Sequence, residues 1–349
     1  MNRIRSMMRR IGTFWLVAGF TFGFALLSGT PLSAKGLELS LPIDCILGKD
    51  CFVQNYVDID PASTVLTASC DRAGYDGHKG TDFRVLNTSE SADVIAAAPG
   101  VVKGVRDEMP DRLVRSQEDR KQVGGRECGN GVVISHGNGW ETQYCHLQLG
   151  SVSVEAGERV ERGARLGRVG FSGFAAFPHV HLSVRKNGEM IDPFLGTAEK
   201  ARARLETCQS NGAGPLQYQD ALWQADVNSL LADGTGKIIE TGFADNPVKS
   251  IDVERADVKS PTVASPALVF FARLINIRKG DRIALRLVGP DGPLAETDGK
   301  PIEGQKAQWV AFAGRKLKQE SWPAGNYVGT AMLIRDGEII QQETSVLSL

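Results

Sequence analysis

Histidine is scarce in this sequence of 349 residues: it occurs five times, and four of the copies lie in short motifs. Net charge is almost absent, because 40 lysines and arginines oppose 41 aspartates and glutamates. This balance argues against a nucleic-acid-binding protein that relies on positive charge. With 42% hydrophobic and 23% charged residues, the composition excludes wholesale disorder, collagen and coiled coil. The length suffices for about two domains.

Long apolar runs are absent except for residues 11–27, which follow four arginines near the amino terminus. A cleavage site rich in small residues comes next, at 32–34. This order predicts a cleaved export signal over residues 1–34, with an uncleaved membrane anchor as the alternative. Removal of the segment changes the net charge from −1 to −5, because it takes four arginines and no acid. We expect an exported protein, periplasmic or elsewhere in the envelope or outside the cell, without stable membrane insertion.

The pattern Cys-x-x-Cys is also absent, which argues against a metal held by cysteines. The six cysteines are Cys45, Cys51, Cys70, Cys128, Cys145 and Cys208. An even number in an exported chain predicts disulfides and an oxidising compartment such as a bacterial periplasm. Cys45 and Cys51 are close enough to bridge locally. Cys128 and Cys145 flank a predicted hairpin and are expected to pair across it, which leaves Cys70 with Cys208.

Short strands punctuated by glycine are the main pattern of residues 77–193. Residues 131–136 and 140–147 flank Gly-Asn-Gly, and residues 179–185 precede Asn-Gly, so both places are predicted hairpins. Many short strands at even spacing predict an all-β, mainly antiparallel domain.

The carboxy-terminal part of the chain lacks histidine and, after Cys208, cysteine. Its strand patterns at 267–277, 282–288 and 327–334 predict a β-sandwich of the immunoglobulin-like or fibronectin-like type. We expect core packing for its two sparse tryptophans, Trp309 and Trp322. Substrate binding and docking of an envelope protein partner both remain open as roles for this part.

His179 and His181 carry the most informative pattern. Side chains two apart on a strand share a face, so both imidazoles point the same way while Val180 and Leu182 point toward a core. Two imidazoles on one strand face indicate a metal site or an acid–base pair. His78 and Asp82 lie in a glycine-rich loop that leads into a strand, and a histidine with a carboxylate suits Zn²⁺. A lone motif of this kind is more often structural, so the combination carries the argument.

Taken in order, HKGTD, HGNGWETQYCHL and PHVHLSV resemble the lysostaphin-type (LytM-like) zinc metallopeptidases of bacterial cell envelopes, over about residues 75–193. The resemblance implies that His78, Asp82 and His181 hold one Zn²⁺ per chain, which leaves a fourth position for water. It also implies that His146 and His179 are the unligated catalytic histidines. By strand alternation we expect His146 to share a face with Tyr144.

The resemblance implies an endopeptidase that uses a zinc-activated water to cleave stem or cross-link peptides of peptidoglycan. Two alternatives are a catalytically inactive relative that binds wall or activates an amidase, and an endopeptidase that acts on exported proteins. Two segments depart from the family pattern, the apolar loop 174–177 and the highly charged segment 106–127. We expect both to border the substrate groove, the second as a solvated loop or short surface helix. His136 is interpreted as structural.

These patterns divide the chain into five parts. They are the signal 1–34, a cysteine-containing lead-in 35–75, the metallopeptidase domain 76–208, a linker 209–215 and the β-sandwich domain 216–349. A helix is expected at 197–206.

Overall fold

Antiparallel strands make up most of the regular structure, as the sequence predicts. The computed structural model describes residues 36–211, 219–231 and 236–349. The predicted signal segment 1–34 and linker residues 212–215 lie outside the described residues, and residues 209–211 belong to a helix. In the described part of the chain, no helix is both long and apolar enough to cross a membrane.

The elements of the described residues follow in chain order. The strands are β1 Cys51–Asn55, β2 Thr81–Val85, β3 Asp93–Ile95, β4 Gly100–Arg106, β5 Asn130–Gly137, β6 Trp140–Leu147, β7 Arg159–Val160, β8 Arg165–Arg168, β9 His179–Lys186, β10 Glu189–Ile191, β11 Lys237–Ala244, β12 Ala267–Ile277, β13 Arg282–Gly289, β14 Gly292–Thr297, β15 Lys306–Lys316, β16 Asn326–Arg335 and β17 Glu338–Ser348. The helices are α1 Gln117–Val123, α2 Ala198–Asn211, α3 Ala225–Leu231 and α4 Ser250–Glu254.

One eight-stranded sheet carries the histidine motifs. Its order is β1-β2-β9-β6-β5-β4-β7, with β10 paired to β9, and a small β3-β8 sheet lies beside it. The hairpins predicted at β5–β6 and β9–β10 are both present. On β9, Val180 and Leu182 are fully buried in the main core, so His179 and His181 lie on the opposite face. The predicted alternation on this strand is confirmed.

Two further sheets form the predicted β-sandwich. Strands β11-β12-β15 and β14-β13-β16-β17 share one hydrophobic core, in which Phe270 and Leu274 of β12 pack with Leu285 and Tyr327 of the other sheet. The all-β, mainly antiparallel fold class is therefore confirmed. The predicted core packing is confirmed for Trp322, which is buried, and is wrong for Trp309, which is 37% exposed.

A fully buried ion-pair network joins the eight-stranded sheet to the sandwich. Arg84 of β2 donates from Nη2 to Oε1 of Glu254 in α4 at 2.7 Å. The second carboxylate oxygen of Glu254 accepts from Arg273 of β12 at 3.3 Å and from Gln308 of β15 at 3.1 Å. Arg84, Glu254 and Arg273 are all 0% exposed. Such charges are tolerated away from water only because each has an opposite charge in contact.

All three predicted disulfides are present: Cys45–Cys51, Cys70–Cys208 and Cys128–Cys145. The Cys70–Cys208 bridge closes a sequence separation of 138 residues, so it ties the lead-in to helix α2. The Cys128–Cys145 bridge joins the end of the charged segment 106–127 to β6, next to His146.

We expect the substitution Glu254→Gln to lower the free energy of unfolding by about 3–5 kcal/mol, because it leaves the buried guanidinium of Arg84 without its carboxylate, whereas Arg273 keeps Glu240 at 2.6 Å. Glu296→Gln is the matched control. This substitution removes the partner of Arg286 in a surface ion pair, in which the Glu296 side chain is 56% exposed and that of Arg286 is 57% exposed. It should lower the free energy of unfolding by at most about 1 kcal/mol. Denaturant unfolding measures both. Equal effects of the two substitutions would contradict the assigned importance of the buried network.

Asp192, which follows β10, provides a pH-dependent prediction. Burial raises the pKa of its carboxyl to about 7, despite a hydrogen bond from the Phe194 N–H. The unfolded chain has an aspartate pKa of about 3.9, so the folded state holds the proton more tightly. The contribution of Asp192 to stability should therefore fall as pH rises from 5 to about 7, by at most about 1.4 kcal/mol per pH unit. Asp192→Asn should remove this slope in metal-free protein, whereas Asn at exposed Asp336 should leave it unchanged.

Candidate metal centre and active site

The first candidate site consists of His78, Asp82 and His181, which the structure brings together on the outer face of the eight-stranded sheet. His78 lies in the loop before β2, and Asp82 is the second residue of that strand. β2 pairs with β9 so that Asp82 lies directly opposite His181. Residues opposite each other in an antiparallel pair project to the same face. The strand pairing therefore places a carboxylate beside an imidazole.

Three ligand atoms converge at this point. His78 Nε2 is 3.1 Å from Asp82 Oδ1 and 3.1 Å from His181 Nδ1. His181 Nδ1 is 2.8 Å from the same carboxylate oxygen. His78 and Asp82 are each 1% exposed. The three side chains thus form a small triangle of possible ligand atoms at the edge of the buried region, all within 4.8 Å of one another.

The hydrogen bonds behind these atoms determine where each imidazole carries its hydrogen. His78 Nδ1 lies 2.7 Å from the carbonyl oxygen of Tyr56, which can only accept, so Nδ1 is the donor and Nε2 has the lone pair. Ser183 Oγ donates to the carbonyl of Lys79 at 2.8 Å. It therefore accepts from His181 Nε2, 3.0 Å away, which leaves the lone pair of His181 on Nδ1.

Three lone pairs consequently face one another, because Asp82 Oδ2 is occupied by the side-chain N–H of Asn55 at 2.7 Å and Oδ1 faces the imidazoles. Burial raises the pKa of Asp82, but the neighbouring imidazoles, when protonated, outweigh burial and hold that pKa well below its ordinary value. An ionised carboxylate and two imidazole lone pairs repel one another unless a proton or a metal cation lies between them. Two nitrogens and one oxygen are a ligand set that fits zinc.

His146 and His179 lie beside this triangle as a second pair. Their ring centroids are 4.6 Å apart, and His179 Nε2 is 3.6 Å from Asp82 Oδ1. Each Nδ1 donates to a backbone carbonyl at 2.8 Å, His146 to Ser172 and His179 to Phe177. Burial lowers the pKa of both imidazoles, that of His146 strongly. Both rings are therefore neutral, with an unprotonated Nε2 that can accept a proton.

His146 does not share a face with Tyr144, and the alternation predicted for β6 is wrong at this residue. Tyr144 lies opposite Leu182 and is buried in the core. The pairing of β5 with β6 is interrupted where His146 has no partner, and its φ is 66°. This left-handed bulge turns the side chain toward the metal-ligand face, at a backbone cost typical of functional sites.

A cleft of about 520 Å³ leads to Asp82 and His179. The loop 174–177 and the charged segment 106–127 both line it, as predicted, and β15 of the sandwich adds Gln308. The charged segment contains the short helix α1, which begins with a capping box between Ser116 and Asp119. Residues 54, 55 and 74–76 line the cleft as well, so it is walled by four parts of the chain that are distant in sequence.

Sequence reasoning missed the residues that orient the ligands, namely Asn55, Ser183 and the carbonyl of Tyr56. No spacing signal connects them with the motifs, because the fold alone brings them there. The backbone at Gly80 passes close to the His181 ring, because a Cβ at this position would lie 2.5 Å from His181 Nε2. His136 lies apart from this cluster: its ring nitrogens contact the Pro99 carbonyl and Thr142 Oγ1 at 2.7 and 2.8 Å.

Residues 76–193 match the sequence profile of a family described as Peptidase family M23. This stretch therefore resembles an M23 peptidase domain, and we refer to it as the M23 domain. The predicted resemblance to the lysostaphin-type peptidases is thereby confirmed. The family match covers about a third of the chain, and the sandwich lies outside it.

Curated relatives that match this chain include three metalloproteases and endopeptidases. An uncharacterized metalloprotease of Haemophilus influenzae is 34% identical over 116 residues, 33% of this chain and 20% of that protein. The peptidoglycan DD-endopeptidase ShyA of Vibrio cholerae is 39% identical over 65 residues, 19% of this chain and 15% of that protein. The DD-carboxypeptidase/endopeptidase Mpg of Neisseria meningitidis is 42% identical over 65 residues, 19% and 14% of the two chains. The chain thus spans a fifth or less of the length of these relatives.

We expect Ser183→Ala to weaken Zn²⁺ binding by the M23 domain about 10- to 100-fold, because His181 loses the acceptor that holds its lone pair toward Asp82. Competition with a chromogenic chelator measures the affinity. Ser153→Ala is the control, since that hydroxyl donates to the Arg165 carbonyl on the surface. An unchanged affinity in Ser183→Ala would contradict the assigned orientation of His181.

Proposed function

We propose that the protein is an exported zinc endopeptidase that hydrolyses peptide bonds in the stem or cross-link peptides of peptidoglycan. The observation that carries the proposal is the convergence of three ligand atoms, from His78, Asp82 and His181, beside the imidazoles of His146 and His179. Asp82 and His179 line the cleft that leads to this cluster. An M23 domain and relatives named as peptidoglycan endopeptidases support the substrate class. The pattern of residues 1–34 and the three disulfides support export to a periplasm or other oxidising envelope space.

His78, Asp82 and His181 would hold one Zn²⁺. When bound, this ion supplies a Lewis acid that polarises the scissile carbonyl and lowers the pKa of water. His146 and His179 supply the proton transfers. Each has its Nδ1 hydrogen committed to a backbone carbonyl, so the proton of the attacking water is taken up at Nε2. A ring that has taken this proton then donates from Nε2 to the oxyanion or to the leaving amine.

The inactive, wall-binding alternative is less well supported because all five polar residues are present and oriented for chemistry. A binding module needs neither an unprotonated Nε2 on His146 nor a strained backbone that turns this residue toward the ligand triangle. The alternative of an exported protein as substrate shares the same chemistry, and the cleavage products distinguish it.

The test incubates the zinc-loaded protein, without residues 1–34, with isolated peptidoglycan and identifies soluble fragments by mass spectrometry. We expect new peptide ends from the intact protein. His181→Ala should lose zinc and cleavage together. His179→Ala should keep zinc but lose at least about 100-fold in rate, because only the proton transfer is impaired. His136→Ala should retain the activity.

A folded, zinc-loaded protein that produces no new ends would exclude wall hydrolysis. Cleavage of an exported protein by the same preparation, with the same loss of rate in His179→Ala, would show that the enzyme uses this chemistry on a protein substrate instead.

A further inference from the structure

The loop 174–177 and the charged segment 106–127 form one wall of the cleft, although they depart from the family pattern separately. The N–H of Val114 donates to the carbonyl of Ala175 at 2.8 Å. The guanidinium of Arg120 lies 4.8 Å from the centre of the Phe174 ring. Pro178 alone separates this loop from His179, whose Nδ1 donates to the Phe177 carbonyl. The wall is therefore fixed to the catalytic side of the site.

Two arginines of this wall, Arg115 and Arg120, line the cleft that leads to Asp82 and His179. Asp119 holds the local backbone, because its Oδ2 accepts from the N–H groups of Arg115 and Ser116 at 2.9 Å each. The two guanidinium groups thus arise from one capped turn rather than from separate mobile segments.

Among the described residues, no carboxylate lies within ion-pair distance of either guanidinium. Arg120 contacts the Phe174 ring, and the charges of Glu254 and Arg255 act on Arg115 without contacting it. The acidic residues near the cleft do not form an ion pair with either arginine. Asp82 is committed to Asn55 and the histidines, and Glu254 is committed to Arg84, Arg273 and Gln308. Asp76 lines the cleft but forms no ion pair with either arginine.

Both arginines are exposed at the cleft, so a ligand that enters the cleft can reach their guanidinium groups. A planar fork of N–H donors matches the geometry of a carboxylate, and a charge-assisted bond of this kind is stronger than a neutral one. A carboxylate ligand in the cleft would supply an opposite charge at contact distance.

We propose that Arg115 and Arg120 form a carboxylate-binding subsite, so that the preferred substrate is a peptide with a free carboxylate close to the cleaved amide. This proposal rests on the proposed peptidase function. It assigns the charged segment 106–127 to substrate selection, and it predicts discrimination between an acid and its amide at one position of the substrate.

The experiment compares two probes, a purified dimeric muropeptide with free carboxyl groups and the same dimer converted to carboxamides. Zinc-loaded wild type, Arg115→Gln, Arg120→Gln and the double variant are assayed for kcat/KM on both. Arg112→Gln is the matched control, because this neighbouring arginine is exposed and donates to Gln122 instead of lining the cleft. Circular dichroism confirms that each variant is folded.

We expect wild type to prefer the acid, and the double variant to lose about 10- to 100-fold in kcat/KM on the acid, the effect of losing a charge-assisted hydrogen bond. On the amide, wild type and double variant should agree within about twofold, and Arg112→Gln should behave as wild type on both. An acid-to-amide ratio that is unchanged in the double variant would overturn the subsite.

Failure of the proposed function has a different signature, because wild type would then cleave neither probe. In that case calorimetric binding of the two probes to zinc-loaded wild type and double variant decides the subsite. Tighter binding of the acid that is lost in the double variant supports it, and equal binding of acid and amide overturns it.

Discussion

The pairing of β2 with β9 in one register is the constraint on which the site depends. It sets Asp82 opposite His181 and Phe83 opposite Val180, so the same ladder supplies ligands on one face and core on the other. A slip of one residue would exchange the faces and bury the ligands. The burial of Phe83, Val180 and Leu182 therefore stabilises the metal-ligand geometry indirectly, because the apolar residues cannot leave the core without moving the polar ones.

The polar side chains on this face need hydrogen-bond partners within the protein, because they are largely buried from water. Asn55, Ser183 and the Tyr56 carbonyl each satisfy one polar atom of the ligands, and this leaves the three lone pairs directed at a common point. Such an arrangement is unfavourable by itself and becomes favourable when a cation is bound. The folded sheet and the surrounding hydrogen bonds thus hold the three side chains in position before a metal binds, as hydrogen bonds around metal sites commonly do.

The sandwich contributes to this face as well as to the rest of the molecule. Glu254 contacts Arg84 on β2, two residues after Asp82 and directly opposite His179 in the ladder. The Arg84 guanidinium lies 4.9 Å from the centre of the Phe177 ring, and the Phe177 carbonyl accepts from His179. The buried ion pairs therefore bring the sandwich into contact with the support of the active site, and Gln308 extends it into the cleft wall.

Much of this arrangement could be predicted from the sequence. The alternation of β9, the hairpins at Asn-Gly turns, the loop before β2 and all three disulfides depend on local pattern or on simple pairing, and the structure agrees with each. The family resemblance of their short motifs implied His78, Asp82 and His181 as metal ligands, and the fold brings these three side chains together. Tertiary structure decided the rest. The bulge that turns His146, the exposure of Trp309, the ligand-orienting atoms of Asn55 and Ser183, and the contact of Glu254 with Arg84 all join residues that no local periodicity relates. Burial and hydrogen-bond satisfaction are properties of the assembled chain, and they determine which side chains finally face the site.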